Sequence, residues 1–161
     1  MRAPLALLLA VLLAGLTASC LDPVHDDAVA ALGPEANGVR PGPKHRPGQP
    51  CLTCHGGDGP GPDFAVAGTV YETRNGTTPL PDVTVLLRDS SGATRTLLTN
   101  SVGNFYLSAK QWTPAYPIFA ELHYQDVEKK MVTRIGRNGG CAECHRAGDR
   151  SQMPPVYLRE P

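Results

Sequence analysis

Apolar and polar residues alternate with a period of two over Phe64–Thr73, Asp82–Arg88, Thr94–Thr99, Asn104–Ser108, Pro117–Tyr124 and Val127–Arg134, the pattern of half-buried strands. The breaks carry turn chemistry. Asn75-Gly76, Ser90-Ser91-Gly92 and Val102-Gly103-Asn104 supply residues that tolerate positive φ, and Pro79 and Pro81 sit where a strand begins. Six short strands spaced by about ten residues predict an all-β chain, a small antiparallel β-sandwich over 64–134. On the fifth, Ile118, Ala120 and Leu122 share one face while Phe119, Glu121 and His123 share the other, so His123 is expected to point away from the core.

The alternation is absent before residue 64. Arg2 precedes an apolar run from Leu5 to Leu16, too short to span a bilayer comfortably and typical of an export signal. Its end, Leu16-Thr17-Ala18-Ser19-Cys20, resembles the lipobox of bacterial lipoproteins. That resemblance implies removal of residues 1–19 and acylation of Cys20, with several acyl chains on one residue anchoring more firmly than one. Leu21, in place of an acidic residue, favours the outer membrane by the sorting rule of such lipoproteins. The alternative is an ordinary signal peptide with a coincidental cysteine. From Leu21 to Pro50 proline and glycine recur with little hydrophobic periodicity, so 20–44 reads as a flexible tether, with Ala28–Leu32 as a possible helical turn.

Composition narrows the class. With 17 Gly and 16 Pro in 161 residues a helical bundle is excluded, and 15 basic against 15 acidic side chains exclude a nucleic-acid binder that works by bulk charge. The aromatics are few, 5 Tyr, 3 Phe and 1 Trp, and the segments flanking the sandwich add almost no apolar side chains to a small core.

Five cysteines stand at 20, 51, 54, 141 and 144. With Cys20 assigned to lipid, the other four form two pairs, each followed at once by histidine: Cys51-Leu52-Thr53-Cys54-His55 and Cys141-Ala142-Glu143-Cys144-His145. C-x-x-C-H is the c-type haem attachment signature, in which two thiols add to the haem vinyl groups and the adjacent histidine binds iron from the proximal side. Two covalently bound haems are therefore expected, attached through Cys51, Cys54, Cys141 and Cys144, with His55 and His145 as proximal ligands, in segments 45–63 and 135–161. Porphyrins held this way would supply apolar surface that the sandwich lacks. A zinc ribbon also uses two C-x-x-C pairs, but at shorter separation; two local disulfides suit an exported chain, and a thioredoxin-like motif wants a βαβ context. None of the three accounts for a histidine after both pairs.

Ala67-Gly68-Thr69-Val70, Pro79-Leu80-Pro81-Asp82-Val83-Thr84-Val85 and Thr99-Asn100-Ser101-Val102-Gly103-Asn104-Phe105 resemble the carboxypeptidase regulatory-like (transthyretin-like) domain, which implies a β-sandwich without catalytic residues of its own. The resemblance covers 64 to about 108; Gln111–Tyr116 stands where that family carries a Leu-Pro-x-Gly-x-Tyr segment. The whole chain resembles exported dihaem c-type cytochrome lipoproteins with such a sandwich between two haem motifs. The run His55–Gly61 is also similar to small monohaem cytochromes c, from which the chain departs because strands follow.

Each iron needs a second axial ligand unless its site is left open. His45, six residues before Cys51, and the outward-facing His123 are the leading candidates; Met131 and Met153 rank lower, and His25 falls in the tether. The expected function is electron transfer by low-spin haems with two histidine ligands, between redox partner proteins, in the periplasm or at the outer membrane. The alternatives are a haem enzyme with one open iron, reducing peroxide or a small oxyanion, and an envelope-binding module with structural haems. The sequence leaves enzyme status open and favours the carrier.

Overall fold

The computed structural model describes residues 22–57, 59–146 and 153–160; the expected signal peptide (1–19) and the expected acylation site Cys20 lie outside the described residues. The chain divides after Gly33 into two compact units. In the first, α1 (Pro23–Ala31) begins where Asp22 accepts hydrogen bonds from the Val24 and His25 amides, each at 3.1 Å, with Pro23 at the first helical position. It buries none of its residues. The helix is longer than the turn expected at Ala28–Leu32, and its start signal, Asp-Pro, was legible in the sequence. Among the described residues no helix is long and apolar enough to cross a membrane.

The second unit is all-β, as the periodicity predicts. Its strands are β1 (Phe64–Thr69), β2 (Tyr71–Thr73), β3 (Thr84–Arg88), β4 (Thr94–Leu98), β5 (Asn104–Ser108), β6 (Phe119–Tyr124), β7 (Val127–Lys130), β8 (Gly139–Gly140) and β9 (Tyr157–Arg159). One sheet has the order β4-β3-β6-β7, a second β5-β1-β8, and β2 pairs with β9 alone. Antiparallel register puts Val85 opposite Leu97 on one side and Leu122 on the other, and Gly68 opposite Phe105 in the second sheet. Alternation then buries Val85 and Leu87 of β3, Leu122 of β6, Val66 of β1 and Phe105 of β5 in one shared core. The two sheets close on each other through these side chains.

Two elements depart from the predicted antiparallel pattern. β8 runs parallel to β1, and β9 parallel to β2, so the segment after the sandwich returns to it and contributes Leu158 to the core. The predicted sixth strand stops at Lys130, and the chain resumes pairing only at Ile135, whose amide and carbonyl both bond Ile118 at 2.9 Å.

Asp89 ends β3 and fixes the β3–β4 turn. Its carboxylate is buried and accepts from the Ser91 hydroxyl (2.6 Å) and from the amides of Ser91, Ala93 and Ala115 (2.9, 3.0 and 3.0 Å). These bonds, the Ser91 hydroxyl first, hold its pKa below the usual carboxylate value. A depressed folded pKa means that the stabilisation is complete above the unfolded value, about 3.9, and is lost as pH falls through the folded one. Urea midpoints measured from about pH 5 down to about pH 3 are expected to fall less steeply in Asp89→Asn than in the parent. Equal slopes would remove Asp89 from the acid response.

Candidate functional site

Both pentapeptides fold into the same tight turn. In the first, Cys51 leads into α2 (Leu52–His55), and the His55 and Cys54 amides both bond the Cys51 carbonyl, at 2.9 and 3.2 Å. In the second, the 3-10 turn Cys141–Glu143 lets the His145 and Cys144 amides bond the Cys141 carbonyl, again at 2.9 and 3.2 Å. One turn separates the two cysteines of each pair and places the histidine directly beyond them.

The imidazoles are held alike as well. Nδ1 of His55 lies 2.9 Å from the Pro62 carbonyl oxygen, and Nδ1 of His145 lies 2.7 Å from that of Pro154. A carbonyl only accepts, so Nδ1 carries the proton and Nε2 keeps its lone pair, the tautomer a metal-ligating histidine needs. The glycine-rich run makes the first of these contacts sterically feasible. A methyl group on Gly61 would overlap the His55 ring, and one on Gly59 the Cys54 carbonyl, so only glycine lets the chain fold back closely enough for Pro62 to reach Nδ1.

His45 is brought to the first pentapeptide. Its ring centroid is 5.8 Å from that of His55 at 72°, while the other side of the His55 environment is filled by Phe64, stacked on it at 4.2 Å, and by Tyr106 stacked on Phe64 at 4.8 Å. His45 Nδ1 contacts Glu35 Oε1 at 3.0 Å, and Arg46 Nε donates to that same oxygen at 3.1 Å. The segment is pinned to β1 and β5: Asn104 donates to the His45 carbonyl (3.0 Å), Asn100 to the Pro43 carbonyl (2.6 Å), and the Gly48 amide to the Thr69 hydroxyl (2.7 Å). Residues 34–44, read as tether, thus belong to the folded unit.

The second pentapeptide opens on a cavity of about 990 Å³ whose floor is the core itself, Val85, Leu87, Phe105 and Leu122, and whose wall carries Cys141, Cys144, His145, Met131 and Met153. That size lies at the upper end of the roughly 300–1,000 Å³ range of cofactor pockets. His123 is not on the wall. It lies on the opposite face of β6, beside Glu121 (3.4 Å) and opposite Glu128 in the β6–β7 register. Lys130 occupies that carboxylate cluster, 2.7 Å from Glu128 and 3.9 Å from Glu121. His25 falls on α1, in the other compact unit.

The sandwich sets the two pentapeptides side by side on β1. Glycines 68 and 139 let the second one dock: a methyl on Gly139 would overlap the β1 backbone at Ala65, and one on Gly68 would crowd Cys141 and Phe105, at 2.8–3.0 Å. Leu52 of the first motif flanks Gly140 of the second, with its side chain 3.3 Å from where a Gly140 methyl would stand. The four cysteines are free thiols. Burial pushes the Cys51 thiol up to about 11 and the Cys141 thiol up to about 12, with Glu143 and Cys54 adding to the first and Cys51 and Cys144 to the second. Among the described residues the group with metal-binding spacing is Glu121, His123 and Glu128, so the cysteines do not converge on one point as in a zinc ribbon.

These residues fit two covalently held haems: paired thiols one turn apart, half-buried except for the exposed Cys144, a histidine with its Nδ1 tied and Nε2 open beside each pair, and an apolar cavity at the second. The sequence names the thiols and histidines. Glu35, the Pro62 and Pro154 carbonyls and the cavity floor carry no motif; Gly61 stood in the run His55–Gly61 that is similar to small monohaem cytochromes c. No family model, no curated protein and no solved structure matches the chain.

Proposed function

We propose that this chain is a dihaem c-type cytochrome that carries electrons between redox partner proteins in the cell envelope. One observation carries the reading: two pentapeptides far apart in sequence adopt the same turn, and each presents its histidine with Nδ1 on a proline carbonyl and Nε2 open. Cys51, Cys54 and His55 would hold one haem, and Cys141, Cys144 and His145 the other. The haem supplies a one-electron couple; the chain's part is to orient the axial imidazoles, exclude water and set the potential. Side-by-side docking of the motifs on β1 supports a carrier, because it gives an electron a short path from one site to the other.

The lipid anchor at Cys20 and outer-membrane placement belong to the same reading and rest on the sequence. Intact mass spectrometry of chain matured in an export-competent, cytochrome-c-assembling host tests both. The expected mass exceeds the polypeptide from Cys20 onward by two haems and by acyl chains on Cys20. Zinc, or two disulfides without haem, overturns the cytochrome; an unmodified N-terminus elsewhere overturns the anchor.

A further inference from the structure

We propose that the two sites are unequal, a His45/His55 site of lower potential and a His145/Met131 site of higher potential, so that electrons pass from the first to the second. The inference rests on the dihaem reading and assigns the axial ligands that decide how the pair works.

At the first site the second imidazole is already in place. His45 lies 5.8 Å from His55, and Glu35 holds its Nδ1 at 3.0 Å, leaving Nε2 free of that contact. A carboxylate on the far nitrogen makes an imidazole a stronger donor and favours the ferric state. Glu35 is thus a positioning residue that lowers the potential of this site.

At the second site strand geometry decides. Ala120 and Leu122 line the cavity, so the alternation of β6 turns His123 to the other face of the sheet. Beyond β7 residues 131–138 run along the cavity; Met131 and Val132 both line it, Met131 half-buried and Val132 99% exposed. The other methionine on the wall, Met153, belongs to the proximal strap. Its backbone bridges to His145, and the next carbonyl, that of Pro154, meets His145 on the nitrogen remote from the metal. Met153 therefore belongs to the segment that holds the Nδ1 side of His145, and it is 37% exposed. The two lysines and the tyrosine of the wall are engaged elsewhere. Lys129 lies over the Tyr157 ring at 3.1 Å, Lys130 pairs with Glu128, and the Tyr157 hydroxyl bonds Glu160 at 2.6 Å. Met131, from a separate segment, would be the donor that the cavity offers to an iron held by His145.

Thioether ligation stabilises ferrous iron relative to a second imidazole. With haem bound, His45 and His55 would hold the iron of lower potential and His145 and Met131 that of higher potential, so that a one-electron transfer would run from the first site to the second.

The test is a spectroelectrochemical titration of the haem-loaded chain, with haem content fixed first by intact mass so that failure of attachment is distinguished from failure of ligation. Two separate one-electron waves of equal size are expected, with the far-red sulfur-to-iron band of ferric methionine-ligated haem from half of the haem. Met131→Ala should keep two covalent haems, lose that band and turn half of the haem high-spin and cyanide-accessible. Met131→His should stay low-spin and move the upper wave down toward the lower one. His123→Ala should change neither wave. A wild-type chain with two haems but no sulfur band, an unaltered upper wave in Met131→His, or conversion of half of the haem to high-spin in His123→Ala would each overturn the assignment.

Discussion

Replacing Cys141 and Cys144 together by alanine is expected to yield chain with one covalent haem instead of two, and to halve the reduced-minus-oxidised absorbance per polypeptide. On the dihaem reading, attachment at each pentapeptide would depend on its own two thiols, since the cysteines of a pair are one turn apart and the pairs do not converge on a shared centre. The surviving haem should keep its spectrum and its potential nearly unchanged, because His45, His55, Glu35 and Pro62 are held by segments 34–64 and by β5, none of which the double substitution touches. Intact mass and a haem-to-protein ratio check this directly. Loss of both haems would mean that the two sites mature as one unit, through the contact of Leu52 with the Gly140 turn.

Ile118→Ala is expected to destabilise the sandwich by about 2–5 kcal/mol, a large fraction of the roughly 5–15 kcal/mol that holds such a domain together. Ile118 is fully buried in the shared core, and its backbone forms both hydrogen bonds to Ile135. Truncation leaves a cavity that surrounding backbone in two sheets cannot collapse to fill. The consequence reaches the site, because Ile135 anchors residues 131–138, which form one wall of the cavity beside the second pentapeptide. Urea unfolding should show the lower midpoint at unchanged slope, and cyanide should bind half of the haem faster than in the parent. Ile118→Val, which removes one methylene, should cost only about 0.5–1.5 kcal/mol and leave cyanide binding as it was.

Strands β3, β4 and β7 were legible because burial alternates along them and a half-buried strand must alternate, whereas β1 is buried at every position from Ala65 to Thr69. β8 was illegible for the converse reason. Gly139 and Gly140 carry no side chains, so nothing in their pattern says strand; they pair with β1 because at Gly139 only glycine can approach the Ala65–Val66 backbone so closely. β9 is three residues long and lies beyond the second pentapeptide, where Tyr157-Leu158-Arg159 is too short to display a period. Its place was set by a partner, β2, more than eighty residues earlier.

The site divides along the same line. The chemistry was written in the sequence: four thiols in two C-x-x-C-H turns, each with its own histidine, are local features that a few consecutive residues define, and His45 stood close enough to Cys51 to be read as its companion. The outward face of His123 was also correct from alternation alone. Which cavity that face looks into was a different question, since a period of two gives the side of a strand and not what is packed against it. Only the pairing of β6 with β3 and β7, together with the return of the C-terminal segment to β1 and β2, put Met131 on the cavity wall and His123 on the far side. Glu35 beside His45, the proline carbonyls behind both proximal histidines and the two pentapeptides side by side on β1 are likewise contacts between segments. The sequence determined the local chemistry, two C-x-x-C-H turns with their thiols and histidines; the tertiary structure decided which cavity, carbonyls and neighbouring side chains surround them, because those depend on long-range packing that no single segment encodes.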